Sequence, residues 1–405
     1  MNILVIHNHY QQRGGEDAVV EAETALLRSK GHTVHLYKAN NTDVRTGLLE
    51  QVKLFRNSLY NRSSSREVAR FIADQAIDVV HVHNVTPLIS PSVLAGAASA
   101  GAAVVQTLHN FRLACAPAIL FRDGHNCTQC IKGSPLWAVV HACYRDSRRA
   151  SFAVASGILL HRALGTYRRN VDQFIALTQF ARDQFIEIGL DSSRIAIKPN
   201  FLMQDPGLGP RAGGYALFAG RITQEKGVAT LLRAWETHKP GLRLLIAGDG
   251  PAAGMLAPYR DSQGPICWLG HQGAEAMAQH MANAEMLVIP SEWYEGFPMV
   301  VVEAYARGLP IVASRLGGLN ELIVDGVTGA HFTAGDAESL ARAVTSLSTN
   351  KTLQEECSRN ARTHFLQRYS HEANHTLLMG VYQAALESRR SRAVPCQQGK
   401  TSSGA

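Results

Sequence analysis

Apolar and polar positions follow a repeating order along the chain. Short apolar runs rich in β-branched residues end in polar loops that often carry glycine, and most of these loops lead into a longer segment with helical periodicity. In the first half the runs are Asn2 to His7, Thr33 to Tyr37, Asp78 to His83, Ala103 to His109, Phe174 to Thr178 and Ile195 to Asn200. In the second half they are Tyr215 to Ala219, Leu242 to Ala247, Ile266 to Gly270, Glu285 to Ile289 and Ile311 to Ser314. Strand, loop, helix and strand in this order predict an α/β chain with doubly wound parallel sheets, whose ligands sit beyond the carboxyl ends of the strands. Asp205 to Gly214, rich in Gly and Pro, reads as a linker between the two sets. The expected domains are residues 1–205 and 213–370, followed by an amphipathic helix over 371–388 and a polar, disordered tail over 389–405.

One loop differs from the others in its charges. After the run ending at Ile289, residues Pro290 to Gly296 are polar and aromatic, and Pro298 to Arg307 reads as a helix with Pro298 at its first position, stopped by Gly308 and Pro310. A helix N-terminus aimed out of a sheet edge presents unpaired N–H groups and partial positive charge, which suits a phosphate. Two carboxylates bracket it. Glu295 lies in the loop, and Glu303 lies in the helix, roughly 7.5 Å along the axis from Pro298 at 1.5 Å per residue. That spacing suits a nucleotide diphosphate with its ribose, so one carboxylate is placed for ribose and the other for a sugar. The plainer alternative pairs Glu303 with an arginine and leaves Glu295 in solvent.

Other strand ends add candidates. Gly220-Arg-Ile-Thr-Gln-Glu-Lys-Gly227 is a turn into a helix from which Arg221 and Lys226 project, enough charge to bind a diphosphate and steady it as a leaving group. Gly14 and Gly15 let backbone approach a phosphate or sugar, although no G-x-G-x-x-G fingerprint is present and a plain tight turn fits as well. His81 and His83 share one face of a strand and can either ligate a metal or hydrogen-bond locally. His109 ends a buried strand and faces the cleft.

The string Glu295-Gly-Phe-Pro-Met-Val-Val-Val-Glu303, followed by Gly308-Leu-Pro-Ile-Val-Ala313, resembles the E-x7-E signature of retaining glycosyltransferases of family four. Gly220 to Gly227 resembles their G-R-x-x-x-E-K-G turn. The resemblance covers about residues 1–388 and is most specific from Arg221 to Glu303. It implies the GT-B fold: two Rossmann-like domains facing across a cleft, the first on the acceptor side, the second holding a nucleotide sugar, and the last helix crossing back to the first domain. It implies His109 and Glu295 as the catalytic pair around the transferred sugar. Donor-binding roles fall to Gly15, Arg221, Lys226, Phe297, the N–H groups of Met299 and Val300, and Glu303. Family members commonly follow the residue matching Asn200 with Gly-Val-Asp; here Phe201-Leu-Met follows. The sequence contains no Asp-x-Asp, the motif that usually carries a divalent metal onto a diphosphate, so metal-independent transfer without a catalytic cofactor is expected. Two alternatives are a GT-B enzyme that is an epimerase or phosphorylase, and a nucleotide-sugar-binding protein of the membrane surface.

Charge sharpens the acceptor side. Residues 1–200 hold 22 Lys and Arg against 15 Asp and Glu, so the chain's net charge of +7 belongs to that half. Arg145, Arg148, Arg149, Arg162, Arg168 and Arg169 flank the apolar Phe152 to Leu160. A basic, amphipathic segment of this kind, Arg145 to Arg169, suits an anionic membrane surface or a phosphate-bearing acceptor, with a solvated helix face as the plain alternative. No nucleic-acid-binding motif accompanies it. The start of the chain carries no basic signal region and no apolar run reaches the length of a membrane span, so a cytoplasmic protein, peripheral on the inner face of the plasma membrane, is expected. With the resemblance, this favours a lipid-linked or other glycan acceptor in surface or exopolysaccharide biosynthesis.

Four of the seven cysteines fall in one stretch: Cys115, Cys127, Cys130 and Cys143, with Cys127-Thr-Gln-Cys130 forming a C-x-x-C knuckle. Four thiolates make a closed tetrahedral zinc site of structural type; a disulfide or free buried thiols are the alternatives.

Overall fold

The computed structural model describes residues 1–9, 14–40 and 48–393. The expected tail beyond Ala393 and the middle of the loop before Gly14 lie outside the described residues. Fourteen strands are described. In the first half they are β1 (Asn2–His9), β2 (Thr33–Asn40), β3 (Val79–Val82), β4 (Ala103–Leu108), the two-residue hairpin strands β5 (Phe121–Arg122) and β6 (His125–Asn126), β7 (Gln173–Ala176) and β8 (Ile195–Ile197). In the second half they are β9 (Tyr215–Ala219), β10 (Arg243–Ala247), β11 (Ile266–Gly270), β12 (Met286–Ile289), β13 (Ile311–Ser314) and β14 (Gly329–Phe332).

Two six-stranded sheets result, in the orders β2-β1-β3-β4-β7-β8 and β11-β10-β9-β12-β13-β14. Every pairing in both is parallel. Parallel strands are covered by helices on both faces, which is why Ile3 to Ile6, Ala103 to Val105 and Leu244 to Ala247 are continuous apolar runs and are buried. The strand order reverses between β1 and β3 in the first sheet and between β9 and β12 in the second, and a crevice opens where neighbouring strands lead their loops to opposite faces. At the second switch point the loops after β9 and β12 touch. Gly227 has φ +70°, and a Cβ there would come within 1.8 Å of the Pro290 carbonyl oxygen, so only glycine lets the two loops meet.

The last helix, His371–Ala393, extends past the boundary expected at 388. Leu378, Val381, Tyr382 and Ala385 of this helix share one apolar cluster with Ile3, Val5, Val105 and Ile175 of the first sheet. Beneath that contact lies a buried polar network. Lys198 donates to Glu23 Oε2 at 2.9 Å and to Asn374 Oδ1 at 3.1 Å. His81 Nδ1 stands 2.8 Å from Glu23 Oε1 and 2.8 Å from the Tyr382 hydroxyl, and its Nε2 stands 2.8 Å from Thr107 Oγ1. Glu23 is 2% exposed and Lys198 1%. Burial opposes the Glu23 charge, but Lys198 and His81 outweigh it and hold the carboxyl well below the usual carboxylate range.

Removing one partner of such a pair strands the other in a dry interior. Glu23→Ala is expected to lower stability by about 3–5 kcal/mol in urea denaturation, with a substantial part regained when Lys198→Met is added; a loss below about 1 kcal/mol would show that water already screens the pair. Acid should act in the same direction. Burial, with His81 beside it, holds the His83 pKa well below its ordinary 6.5, so the unfolded chain binds the extra proton first. Stability is therefore complete above pH 6.5 and declines as the pH falls below it, and Glu23, with its depressed pKa, adds to the loss at lower pH. A urea midpoint that does not move between pH 7.5 and 5 would contradict the neutral His83.

Candidate active site

The loops that follow β9 and β12 build one half of the cleft. Ser291, buried at the end of β12, donates to Glu295 Oε1 at 2.6 Å, and Lys226 donates to the same oxygen at 2.7 Å. Glu295 is 4% exposed, so the loop turns its carboxylate inward instead of leaving it in solvent. The Lys226 ammonium also lies over the Trp293 ring, 5.4 Å from its centroid. Glu292 ties the loops together: its N–H donates to the Glu225 carbonyl at 2.8 Å, and its carboxylate accepts from Thr230 Oγ1 at 2.6 Å. Arg221, in the turn just before, is exposed.

The helix after this loop is Met299–Ala306. Pro298 is its N-cap at φ −73°, ψ 119°, one position earlier than expected, so the helix opens with the N–H groups of Met299 and Val300. Phe297 is 8% exposed, and its ring lies in the apolar core, 6.0 Å from that of Tyr369. Glu303 is half-buried, and burial raises its pKa, with Arg307 opposing. Arg307 donates to the Glu303 backbone carbonyl at 3.2 Å. The carboxylate is therefore not the partner of that bond.

The first domain supplies the facing wall. His109 follows β4 and is half-buried, with Nε2 2.9 Å from His83 Nδ1 and the two rings stacked. Burial pushes its pKa down to about 3, so it meets the cleft as a neutral imidazole. A Cβ on Gly296 would stand 2.9 Å from the His109 carbonyl oxygen, and one on Gly15 would stand 3.7 Å from Met299 Cγ. The cleft thus brings His109 against the Glu295 loop and Gly15 against the first turn of the helix. Further contacts between the walls join Asn126 Nδ2 to the Glu292 carbonyl at 3.0 Å, and the Phe180 ring to that of Tyr294 at 4.7 Å.

Of the two strand histidines, His81 belongs to the buried network and His83 to the pair with His109. Glu23, His81 and His83 do bring ligand atoms within 4.8 Å of one another, as do His7, His9 and Asp17. In the first group, however, the Lys198 ammonium already occupies the carboxylate. Cys115, Cys127, Cys130 and Cys143, all free thiols, line one small cavity behind the β5–β6 hairpin. Ser291, Trp293, Asn126 and Glu23 were not singled out in the sequence. Ser291 and Trp293 had a usable signal, since they lie in the same polar loop as Glu295.

The basic stretch folds differently from its reading. Ala155 and Ile158 of the helix Arg148–Ala163 pack inward, and of Phe152 to Leu160 only Phe152 is fully exposed, at 53%. The apolar exposure comes chiefly from the preceding residues Leu136, Trp137 and Val140, with Arg145, Arg148 and Arg149 exposed beside them in the chain. Among the described residues no helix is long and apolar enough to cross a membrane.

Residues 13–202 match the family model described as Glycosyltransferase Family 4, and residues 210–364 match that of Glycosyl transferases group 1. A glycogen synthase of Mycobacterium tuberculosis is 28% identical over 276 residues, covering 63% of this chain and 64% of its own length. The lipopolysaccharide 1,2-N-acetylglucosaminetransferase of Salmonella typhimurium is 35% identical over 129 residues, 29% of this chain and 34% of its own. The chain thus spans less than two thirds of the length of these relatives. Among solved structures, Anabaena HepE in complex with UDP-glucose superposes with a TM-score of 0.63 at 17% identity, over 95% of this chain and 100% of that one. With two parallel-sheet domains, each matched by its own family model in the same order, the chain belongs to glycosyltransferase family four and has the GT-B fold.

Proposed function

We propose that the protein transfers a sugar from a nucleoside-diphosphate sugar to a lipid-linked glycan, with retention of configuration and without a catalytic metal, in surface or exopolysaccharide assembly. The observation that carries this reading is the Lys226–Glu295 pair, set at a helix N-terminus and faced by a neutral histidine. An ammonium has three N–H donors, and Glu295 takes one of them; the other two are available to a diphosphate. Arg221 and the N–H groups of Met299 and Val300 complete an anion seat without a metal. Both bonds to Glu295 fall on Oε1, so Oε2 is the oxygen that a hydroxyl of the donor sugar would meet. Glu303, farther along the helix, suits the ribose hydroxyls, and Gly15 leaves room for the diphosphate beside Met299. The UDP-glucose bound by HepE, a protein of the same fold, supports a nucleotide-sugar donor.

In this reading neither carboxylate is a nucleophile. The acceptor hydroxyl attacks the anomeric carbon on the face from which the diphosphate departs. The C–O bond to phosphate breaks as the new C–O bond forms, and a phosphate oxygen takes the hydroxyl proton. The protein's task is to hold and neutralise the leaving group, which is where preorganised charge contributes most. His109, neutral, can accept from or donate to a sugar hydroxyl but brings no charge. The acceptor enters over the first domain, and Leu136, Trp137, Val140 and Phe152 with the neighbouring arginines suit the surface of an anionic membrane that carries it.

A thermal-shift and hydrolysis screen against UDP-, GDP-, ADP- and dTDP-sugars is expected to give one clear donor; no response to any of them would remove the transferase reading. With that donor, Glu295→Ala should lower kcat by ~10²–10³-fold while nucleotide affinity changes little, whereas Lys226→Ala should weaken both. Unchanged turnover in the Glu295 variant would take that residue out of the mechanism. Co-sedimentation with vesicles containing phosphatidylglycerol should exceed that with phosphatidylcholine alone and fall in a Trp137→Ala/Val140→Ala/Phe152→Ala variant. Equal binding to both lipids would argue against a charged membrane surface as the acceptor's platform.

A further inference from the structure

We infer that Cys115, Cys127, Cys130 and Cys143 bind one zinc ion, in a structural tetrathiolate centre that braces the segment between β4 and the helix Arg148–Ala163. The four thiols come from separate local elements. Cys115 sits in a turn beyond β4 and Cys127 directly after the β5–β6 hairpin. Cys130 lies on the short helix Gln129–Lys132, and Cys143 follows the short helix Trp137–Val140. All four nevertheless line a single cavity of about 10 Å³, room for an ion and little more.

The Arg122 guanidinium lines the same cavity as the four thiols. A charged donor beside the site suits a metal-bound thiolate, which accepts hydrogen bonds from its surroundings. Four soft ligands with no oxygen donor among them favour zinc in a closed tetrahedral shell, which leaves no open position for chemistry.

A second observation comes from what the segment lacks. Its regular structure amounts to two-residue strands and four-residue helices. Its own apolar cluster has three buried residues, Ala116, Cys130 and Ala138. Yet Ala118, Leu120, Asp123, Ala142, Arg145 and Asp146 all adopt positive φ, between 50° and 70°, a conformation that costs free energy outside glycine. Phe111, Leu113, Leu120 and Ile131 anchor parts of the segment in the core of the first domain, and a structural metal would add folding free energy where the thiols stand. The sulfurs ring their cavity more loosely than Glu23, His81 and His83, whose ligand atoms lie within 4.8 Å of one another. Binding would draw the thiols together by side-chain rotation.

The braced segment touches both functional faces. Asn126 of the hairpin donates to the Glu292 carbonyl, and a Cβ on Gly124 at its turn would lie 3.8 Å from Gln224 of the Lys226 turn. On the other side Trp137 lines the zinc cavity while 41% exposed. This link to the donor loops rests on the glycosyltransferase reading; the metal centre itself does not.

The test is made on the full chain, purified without chelator, by plasma mass spectrometry and zinc K-edge X-ray absorption. One zinc per chain, with four sulfur neighbours at ~2.3 Å, is expected. Cys127→Ser and Cys130→Ser should lose most of the metal, and Cys267→Ser should keep it. Native protein with less than about a tenth of an equivalent of zinc after growth in zinc-supplemented medium would overturn the inference. So would disulfides among these cysteines, iron in place of zinc, or a nitrogen and oxygen shell. Because the wild-type reading decides, misfolding of the serine variants leaves the test intact. Zinc-bearing protein that binds no nucleotide sugar would spare the metal centre and remove the donor-site reading; metal-free protein with donor activity would do the reverse.

Discussion

The buried carboxylate of Glu23 is the constraint on which the arrangement depends. A charge taken out of water needs opposite charge and hydrogen bonds close by, and Glu23 obtains them only when four parts of the chain meet. The first helix supplies the carboxylate, β3 supplies His81, the end of β8 supplies Lys198, and the last helix adds Asn374 and Tyr382 around them. The same carboxylate stands 3.6 Å from His83 Nε2, and His83 in turn holds His109. The group that fastens the last helix to the first sheet thus also fixes, through one intermediate ring, the imidazole at the cleft.

The opposite wall depends on close approach. Gly227 against Pro290 and Gly296 against His109 are places where backbone meets backbone with no room for a side chain, and both flank the Lys226–Glu295 pair. Cation and carboxylate are held by turns that cannot spread without losing those contacts. Preorganisation of this kind matters for a leaving group, because charge already in place costs no rearrangement as the bond breaks.

Much of this was legible in the sequence because parallel strands leave long apolar runs and their loops carry glycine and charge. Eleven of the fourteen strands and the loop from Ser291 follow from such local patterns, whereas the two-residue β5 and β6 and the edge strand β14 are too short or too polar to stand out. What was not legible depends on partners distant in the chain. Glu23 sits in a helix where a glutamate ordinarily faces water, and its cation lies 175 positions away. Glu295 and Lys226 were each visible as charges, but not as a pair. Phe297 belongs to a motif and reads as a ligand contact, yet an aromatic ring beside an apolar helix is also what a core needs, and the core holds it. In the basic stretch, the apolar run Phe152 to Leu160 stood out, while the exposed Trp137 and Val140 lie in one four-residue helix too brief to show a period.

The position of the last helix has a consequence for how such proteins can be recombined. Order along the chain assigns residues 371–393 to the second half, whereas their apolar face and polar bonds belong to the first. A hybrid joined at the linker, with acceptor half from one relative and donor half from another, would inherit the wrong helix under its first sheet. Viable exchange must move the middle of the chain as an insert, taking residues from the linker to about Tyr369 and leaving both ends from the same parent. In that sense the second domain is carried within the first as a long insertion, although it reads as a sequel.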